Sequence, residues 1–359
     1  MIPLNLIHGI AQMCTKIDKA HAAAFAALFG VARRAALALM LIATAQVNAM
    51  GKHGDTLPSW ATGETRERII SFVERTTNPA APEFVPIAER IAVFDNDGTL
   101  WAEKPVYFQL LFAVDRANEQ LKANPSLAEQ SPWRELTQGG LSALAAQGEE
   151  ALLPLVTATH GNQTEQEFAA AVQHWLDTAR HPTRDRAYTQ MIYQPMLELL
   201  EYLREHDYQV WIVSGGGQSF MRVWTESVYG IPPERVIGSV IGVQYTNDGA
   251  PALLRGDSFT HINDKGGKPV GILHNIGRRP IIAVGNSDGD FEMLEWTTRG
   301  DGARLGILVH HTDAKREWAY DRDSHVGRLD KALDKAAAME WLRVDMQRDW
   351  RQVFSTVDE

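Results

Sequence analysis

Two carboxylates, Asp95 and Asp97, stand two residues apart in Val93-Phe94-Asp95-Asn96-Asp97-Gly98-Thr99-Leu100. They directly follow the apolar run Ile91-Ala92-Val93-Phe94 and precede a Gly-Thr turn signal. A short apolar run bounded by a turn reads as a buried strand. The aspartates then hang from its carboxyl end, where open α/β sheets bind ligands. A carboxylate pair there suits a hard cation such as Mg²⁺, which takes oxygen ligands and commonly accompanies phosphate. The ordinary alternative is a surface turn rich in Asp, Asn and Gly. Apolar flanks on both sides, ending in Leu100-Trp101, argue against it.

Three further pieces follow in order. Gln209-Val210-Trp211-Ile212-Val213-Ser214-Gly215-Gly216-Gly217 reads as a second strand ending in a hydroxyl and a glycine-rich turn. Backbone N–H groups can approach a phosphate there, with a helix expected over Gln218 to Tyr229. Asp264-Lys265-Gly266-Gly267-Lys268-Pro269 offers two cations. Pro280-Ile281-Ile282-Ala283-Val284-Gly285-Asn286-Ser287-Asp288-Gly289-Asp290 is another apolar strand ending in polar ligands. Singly, each has a bland reading as a solvated turn; three strand ends in register are hard to explain as loops.

This ordered set, D-N-D-G-T-L, I-V-S-G-G-G, a lysine and G-N-S-D-G-D, resembles the haloacid dehalogenase superfamily, most closely its phosphoserine-phosphatase-like phosphatases. The resemblance covers roughly Arg90 to His311 and includes the segment Tyr229 to Gly238 after the second motif. It implies a doubly wound, Rossmann-like parallel α/β sheet with an inserted all-helical cap of the C1 type. It also implies an enzyme that hydrolyses phosphoric monoesters with Mg²⁺.

The resemblance assigns roles residue by residue. Asp95 would be the nucleophile that forms an aspartyl-phosphate. Asp97 would be the general acid and then the base, its main-chain carbonyl also holding Mg²⁺. Ser214 and the Gly215 N–H would hold a phosphoryl oxygen, and Lys268 would neutralise the phosphoryl and Asp95 charges. An unperturbed Asp titrates near ~3.9, so Asp95 needs no deprotonation near neutral pH, whereas Asp97 needs a raised pKa to act as an acid. Lys265 competes with Lys268, which better matches the start of the following helix. Asp95, Asp97, Asn286 and Asp290 would form the metal site. Asn286 stands where the family has Asp and brings an amide oxygen without charge; Asp288 is the alternative ligand. Glu103 lies near the position of a substrate-reading Glu, offset by one residue, with a solvated loop carboxylate as the other reading. An Asp at 97 disfavours dehalogenases, whose halide leaving group needs no proton, and transporting ATPases, which have Lys there. Phosphomutases remain, as does a non-catalytic binder of phosphorylated ligands.

The elements that must position these groups can be read around them. Gly63 to Arg75 has an amphipathic pattern with Ile69, Ile70 and Val73 inward, and Thr77 to Pro86 reads as a linker within an N-terminal segment 50–86. The core is expected over 87–100 and 195–311, the helical cap over 101–194 and a C-terminal helical extension over 312–359. Thr164-Glu165-Gln166-Glu167 reads as a capping box, with Phe168, Val172, Trp175 and Leu176 following on one face. Pro195 is placed to open a helix carrying Leu197, Leu200 and Leu203 inward. A β-hairpin is expected around Asn247-Asp248-Gly249, and His310-His311 follow a strand at its carboxyl end.

Arg33-Arg34, the apolar run Ala35 to Ala45 and Val47-Asn48-Ala49 have the order of a signal peptide, cleaved after Ala49. The run is too short to span a bilayer comfortably, which takes roughly twenty residues. The expectation is a periplasmic or secreted protein with no stable membrane span once the leader is removed. The sole cysteine, Cys14, falls in the leader, so no internal disulfide is possible. Lys16, Lys19, Arg33 and Arg34 against Asp18 give the leader +3, so of the chain's net −10 the remainder carries −13. That charge speaks against nucleic acid or anionic membranes as partners. A small phosphomonoester is the expected partner, and the oligomeric state stays open.

Overall fold

In the computed structural model, which describes residues 56–355 apart from 147, 148 and 248, the run Ile91–Phe94 forms β1, the middle strand of seven. The others are β2 (Gln209–Gly217), β3 (Val236–Thr246), β4 (Ala252–His261), β5 (Ile282–Gly285), β6 (Leu305–His310) and β7 (Leu342–Asp345), ordered β4-β3-β2-β1-β5-β6-β7. All neighbours pair in parallel except the β3–β4 hairpin, where Gln244 faces Leu254 and Tyr245 faces Leu253. The leader expected over 1–49, and Asp248 of the expected hairpin turn, lie outside the described residues.

Side chains alternate across a strand, so each strand serves both faces. Ala92 and Phe94 join Val210, Ile212, Ile282 and Val284 on one side. Ile91 and Val93 join Val213, Ala283 and Leu308 on the other. A strand buried on both faces reads as a continuous apolar run, which is why Ile91–Phe94 shows no polar alternation.

Helices cover both faces: α1 (Glu64–Thr77), α2 (Phe108–Ala123), α3 (Trp133–Ala145), α4 (Leu153–His160), α5 (Glu165–Thr178), α6 (Gln194–Glu205), α7 (Gln218–Arg222), α8 (Thr225–Tyr229), α9 (Gly267–Asn275), α10 (Phe291–Thr298), α11 (Lys331–Lys335) and α12 (Met346–Asp349). Between β1 and β2 the elements among the described residues are helices, α2 to α6, short 3₁₀ turns and isolated β-bridges such as Trp101↔Ile192. Ala113 and Ala117 of α2 pack on Leu136, Leu144 and Leu155, giving this insert a core of its own. The α5 capping box forms, Thr164 Oγ1 accepting from the Glu167 N–H and Glu167 accepting from the Thr164 N–H. No helix among the described residues is long and apolar enough to cross a membrane.

Two sequence expectations change. The helix expected over Gln218 to Tyr229 is two helices, α7 and α8, parted at Trp224, whose indole stacks on Trp101 at 4.2 Å. Burying that ring took precedence over helix continuity. The expected C-terminal helical extension over 312–359 instead supplies β7, which pairs in parallel with β6 from Ile307↔Leu342 to His310↔Asp345. Leu342 and Val344 are buried while Arg343 is exposed. A four-residue strand is too short for its period to stand out from the surrounding charges. Beyond it, Trp350 packs on Trp60 and Tyr193, and the Arg351 N–H bonds to the Ser59 carbonyl.

Candidate active site

β1 lies between β2 and β5, so parallel pairing brings the ends of three strands together at one edge. Asp95 leaves β1 there, its N–H bonded to the Val284 carbonyl of β5. Lys268, in the first turn of α9 and 2% exposed, donates from Nζ to Asp95 Oδ1 at 2.6 Å and to Asp290 Oδ1 at 2.5 Å. Asp290 Oδ2 in turn accepts from the N–H groups of Asn286 and Ser287 at 2.9 and 3.0 Å. Lys265, by contrast, is exposed, its ammonium 3.8 Å from Asp264. Burial alone would lower the Lys268 pKa; the charges of Asp290 and Asp95 outweigh it and keep the ammonium protonated. Burial, and then the neighbouring Asp290 charge, push the Asp95 carboxyl well above the usual carboxylate range, against the pull of Lys268, so the sequence expectation that Asp95 ionises unaided near neutral pH does not hold in the metal-free site.

Asp97 follows in a tight turn: the Gly98 N–H bonds to the Trp101 carbonyl, and Gly98 sits at φ 73°, a backbone shape that favours glycine. The Trp101 indole N–H donates to Asp97 Oδ1 at 2.8 Å. Burial raises the Asp97 pKa to about 6, with the Trp101 hydrogen bond opposing it. Near neutrality this carboxyl can therefore hold or release a proton, as a general acid and base requires.

Ser214, buried at the end of β2, accepts from the Gly216 N–H at 3.0 Å, while Gly215 is exposed. The helix that follows is only five residues long, so it supplies little of the expected helix-terminal field. A residue of the helical insert completes this wall. Gln109 of α2 accepts from the Gly217 N–H at 2.7 Å and its amide nitrogen lies 3.2 Å from His160 Nε2. A Cβ on Gly216 would stand 3.4 Å from Gln109 Oε1 and 3.5 Å from Asp97 Oδ2, so the loop, the helical insert and Asp97 meet here.

Asn286 ends β5 and is 1% exposed. Its Oδ1 accepts from Thr99 Oγ1 at 3.1 Å and its Nδ2 donates to Glu103 Oε1 at 2.8 Å. Glu103 is thus neither a solvated loop carboxylate nor turned to the cap: it is 1% exposed, and Tyr320 O–H donates to the same oxygen at 2.7 Å. Burial raises its pKa to about 7, against the opposing charge of His311. Asp288 is not available as the alternative ligand. Its carboxylate accepts from the N–H groups of Asp330, Lys331 and Ala332, capping the start of α11.

The family model described as haloacid dehalogenase-like hydrolase matches residues 92–295, more than half of the chain and every residue named above from Asp95 to Asp290. The chain belongs to the haloacid dehalogenase-like hydrolases. No relative with a curated description matches it. Among solved structures it is similar to a protein of unknown function from Bordetella pertussis Tohama I, 15% identical, covering 72% of this chain and 99% of that one at a TM-score of 0.46. A conserved protein of unknown function from Anaerococcus prevotii DSM 20548 is 16% identical, covering 68% and 85% at a TM-score of 0.43. A phosphoserine phosphohydrolase-like protein from Francisella tularensis is 16% identical, covering 62% and 87% at a TM-score of 0.35.

Around the four motifs, this dehalogenase-like hydrolase carries groups that no motif announces. His311 does not face a ligand: its Nε2 lies 2.8 Å from the Gly98 carbonyl and its Nδ1 3.1 Å from Glu317 Oε2. Both ring nitrogens thus face acceptors. Burial would lower its pKa, yet the Glu317 charge and hydrogen bond raise it overall. Tyr193 O–H donates to Glu317 at 2.8 Å, so the C-terminal segment buttresses the Asp97-Gly98 turn from behind. The sequence placed the His pair at a strand end, but nothing in its spacing pointed to Gly98. Trp175, expected in the core, is buried and stacks on Tyr188 at 4.4 Å.

The Mg²⁺ implied by the family can be tested against this donor set. Among the described residues, no three His, Cys, Asp or Glu side chains converge closely enough to hold an ion unaided. Main-chain and amide oxygens must therefore contribute. Asp95, Glu103 and Asp290 are buried and Asp97 is partly so, while Lys268 is the buried ammonium among them. An all-oxygen donor set with surplus negative charge fits a hard divalent cation.

Proposed function

We propose that this hydrolase cleaves phosphoric monoesters of small metabolites, with Mg²⁺ as cofactor and Asp95 as the phosphorylated residue. The observation that carries the reading is the Lys268 bridge between Asp95 Oδ1 and Asp290 Oδ1, which holds the nucleophile oriented and its charge compensated. Asp95, the Asp97 main-chain carbonyl and the Asn286 amide oxygen would hold Mg²⁺; Asp290, expected as a fourth ligand, has one oxygen engaged by Lys268 and the other by the Asn286 and Ser287 N–H groups, and would support from behind. The bound ion would offset negative charge on the transferring phosphoryl group.

Asp95 attacks phosphorus, forming the acyl-phosphate bond as the ester P–O bond breaks. Protonated Asp97 delivers its proton to the departing alcohol oxygen. Ionised Asp97 then takes a proton from water, which attacks phosphorus, breaks the acyl-phosphate bond and releases inorganic phosphate with Asp95 restored. Ser214, the Gly215 N–H and Lys268 position the phosphoryl oxygens throughout. The cap, through Gln109, closes the site from above and limits water. Export to the periplasm or beyond, with cleavage after Ala49, completes the proposal.

Asn286 is the feature that favours a second reading, a non-catalytic binder of phosphorylated ligands, because it removes a charge from the cation site. Hydrolysis of para-nitrophenyl phosphate, with and without Mg²⁺, separates the two. Turnover that needs both the metal and Asp95, and trapping of Asp95 by beryllium fluoride, support hydrolysis. Ester binding without phosphate release, unchanged in Asp95→Asn, would sink it. A panel of phosphoserine, phosphocholine, nucleotides and sugar phosphates would then name the substrate class.

A further inference from the structure

The geometry points to Glu103 as the source of the negative charge that Asn286 lacks at the cation site, acting one hydrogen bond behind the amide. The inference rests on the cation site proposed above and deepens it. Asn286 Nδ2 donates to Glu103 Oε1 at 2.8 Å, which fixes which end of the amide is nitrogen. Oδ1, accepting only from Thr99 Oγ1 among the described residues, is left as the amide atom a cation can bind.

The pair sits in space cleared for it from two distant parts of the chain. A Cβ on Gly98 would lie 2.1 Å from Asn286 Nδ2 and 2.4 Å from Glu103 Oε1. One on Gly327 would lie 1.8 Å from Glu103 Oε1. Neither contact is tolerable, so both positions require glycine for this arrangement.

The energetics of an ionised Glu103 favour a cation nearby. Glu103 is 1% exposed, and its hydrogen-bond donors, the Asn286 amide and the Tyr320 hydroxyl, are both neutral. Among the described residues, no Lys or Arg forms an ion pair with it. Lys104 instead donates to the Val326 carbonyl and lies 4.0 Å from the Tyr320 ring centroid. His311 and Lys104 act on it only through space, and Asp97 repels it. A buried carboxylate is costly without a compensating charge. A divalent ion on the far side of the Asn286 amide supplies that charge. In return the carboxylate polarises the amide and enriches Oδ1, as outer partners commonly do for metal ligands.

Calorimetric titration of the full chain with Mg²⁺ or Mn²⁺ alone, without substrate, tests this. Glu103→Gln should weaken cation affinity about 10–100-fold, the range typical of lost outer partners. Glu103→Gln combined with Asn286→Asp should regain affinity to within a few-fold of the parent, because the charge returns at the amide position. Asn286→Asp alone sets two carboxylates at hydrogen-bond distance; its metal-free melting temperature should fall and Mg²⁺ should restore it. That variant decides the matter if Glu103→Gln does not fold. Unchanged affinity in Glu103→Gln, or no recovery in the double variant, overturns the inference and leaves the proposed function standing. Hydrolysis by a parent protein that binds no divalent ion would also overturn it, whereas cation binding as described without hydrolysis would overturn only the proposed function.

Discussion

The Trp101 indole donates to Asp97 Oδ1 across 2.8 Å, from a residue only four positions along the same turn. That bond favours the ionised carboxyl, while burial favours the neutral one and wins, leaving the pKa at about 6. Asp97 must be protonated to release the alcohol, so kcat/KM should decline as pH rises through about 6. Trp101→Phe deletes an influence that lowers the pKa, so its alkaline limb should move to higher pH. A limb that stays in place under steady-state assay would remove Asp97 from the acid role.

Asp97→Asn should lose that limb and slow hydrolysis of alkyl phosphates by about 10²–10⁴-fold. Para-nitrophenyl phosphate, with its good leaving group, should suffer less. Equal losses for both esters would argue against proton donation.

Lys268 and Lys265 differ in burial and should differ in consequence. Lys268→Met leaves Asp95 and Asp290 facing each other without a buried cation, which should abolish turnover and cost about 3–5 kcal/mol of stability. Lys265→Met, on the surface, should change stability by no more than about 0.5 kcal/mol. Denaturant titration of the two variants is the check.

Arg255 ties the β3–β4 hairpin to the helical insert. It is 4% exposed, donates to the His160 carbonyl at 2.7 Å and pairs with Glu165 at 2.6 Å. Its backbone also exchanges hydrogen bonds with Asn162 and Gln163. Arg255→Ala should cost about 1.5–3 kcal/mol, the range for hydrogen bonds to charged groups. Limited proteolysis should then cut first near the α4–α5 junction; an unchanged digestion pattern would count against a clamp.

Glu103 makes the metal-free protein sensitive to pH. Its folded pKa of about 7 lies above its ordinary 4.5, so the native state holds the proton more tightly than the unfolded chain. That stability is present at low pH and is lost as pH rises through about 7. His311, also raised, acts in the same direction. His160, lowered by burial to about 3, acts oppositely, but only as pH falls below its ordinary 6.5. In chelator, the melting temperature of the parent relative to Glu103→Gln should therefore fall as pH rises from about 4.5 to about 7 and level off above that. A difference between the two proteins that does not change with pH would refute the assignment.

What the chain alone determined were the strand ends. Continuous apolar runs followed at once by Asp95, Ser214 and Asn286 announce strands buried on both faces, and parallel pairing leaves their carboxyl ends no choice but to meet. The α5 capping box and the hairpin were legible for the same reason: their signals are local and span a few residues. The tertiary structure decided what depends on contacts between distant residues. It chose Lys268 over Lys265 for the bridge to Asp95 and turned Asp288 away to cap α11. It broke the helix at Trp224 to stack that ring on Trp101, and made β7 from a stretch whose charges look helical. Glu103 meets Asn286 across 183 positions and His311 meets Gly98 across 213, separations over which no periodicity carries information. Burial sets the charge states of these groups, and burial exists only once the chain has closed around them.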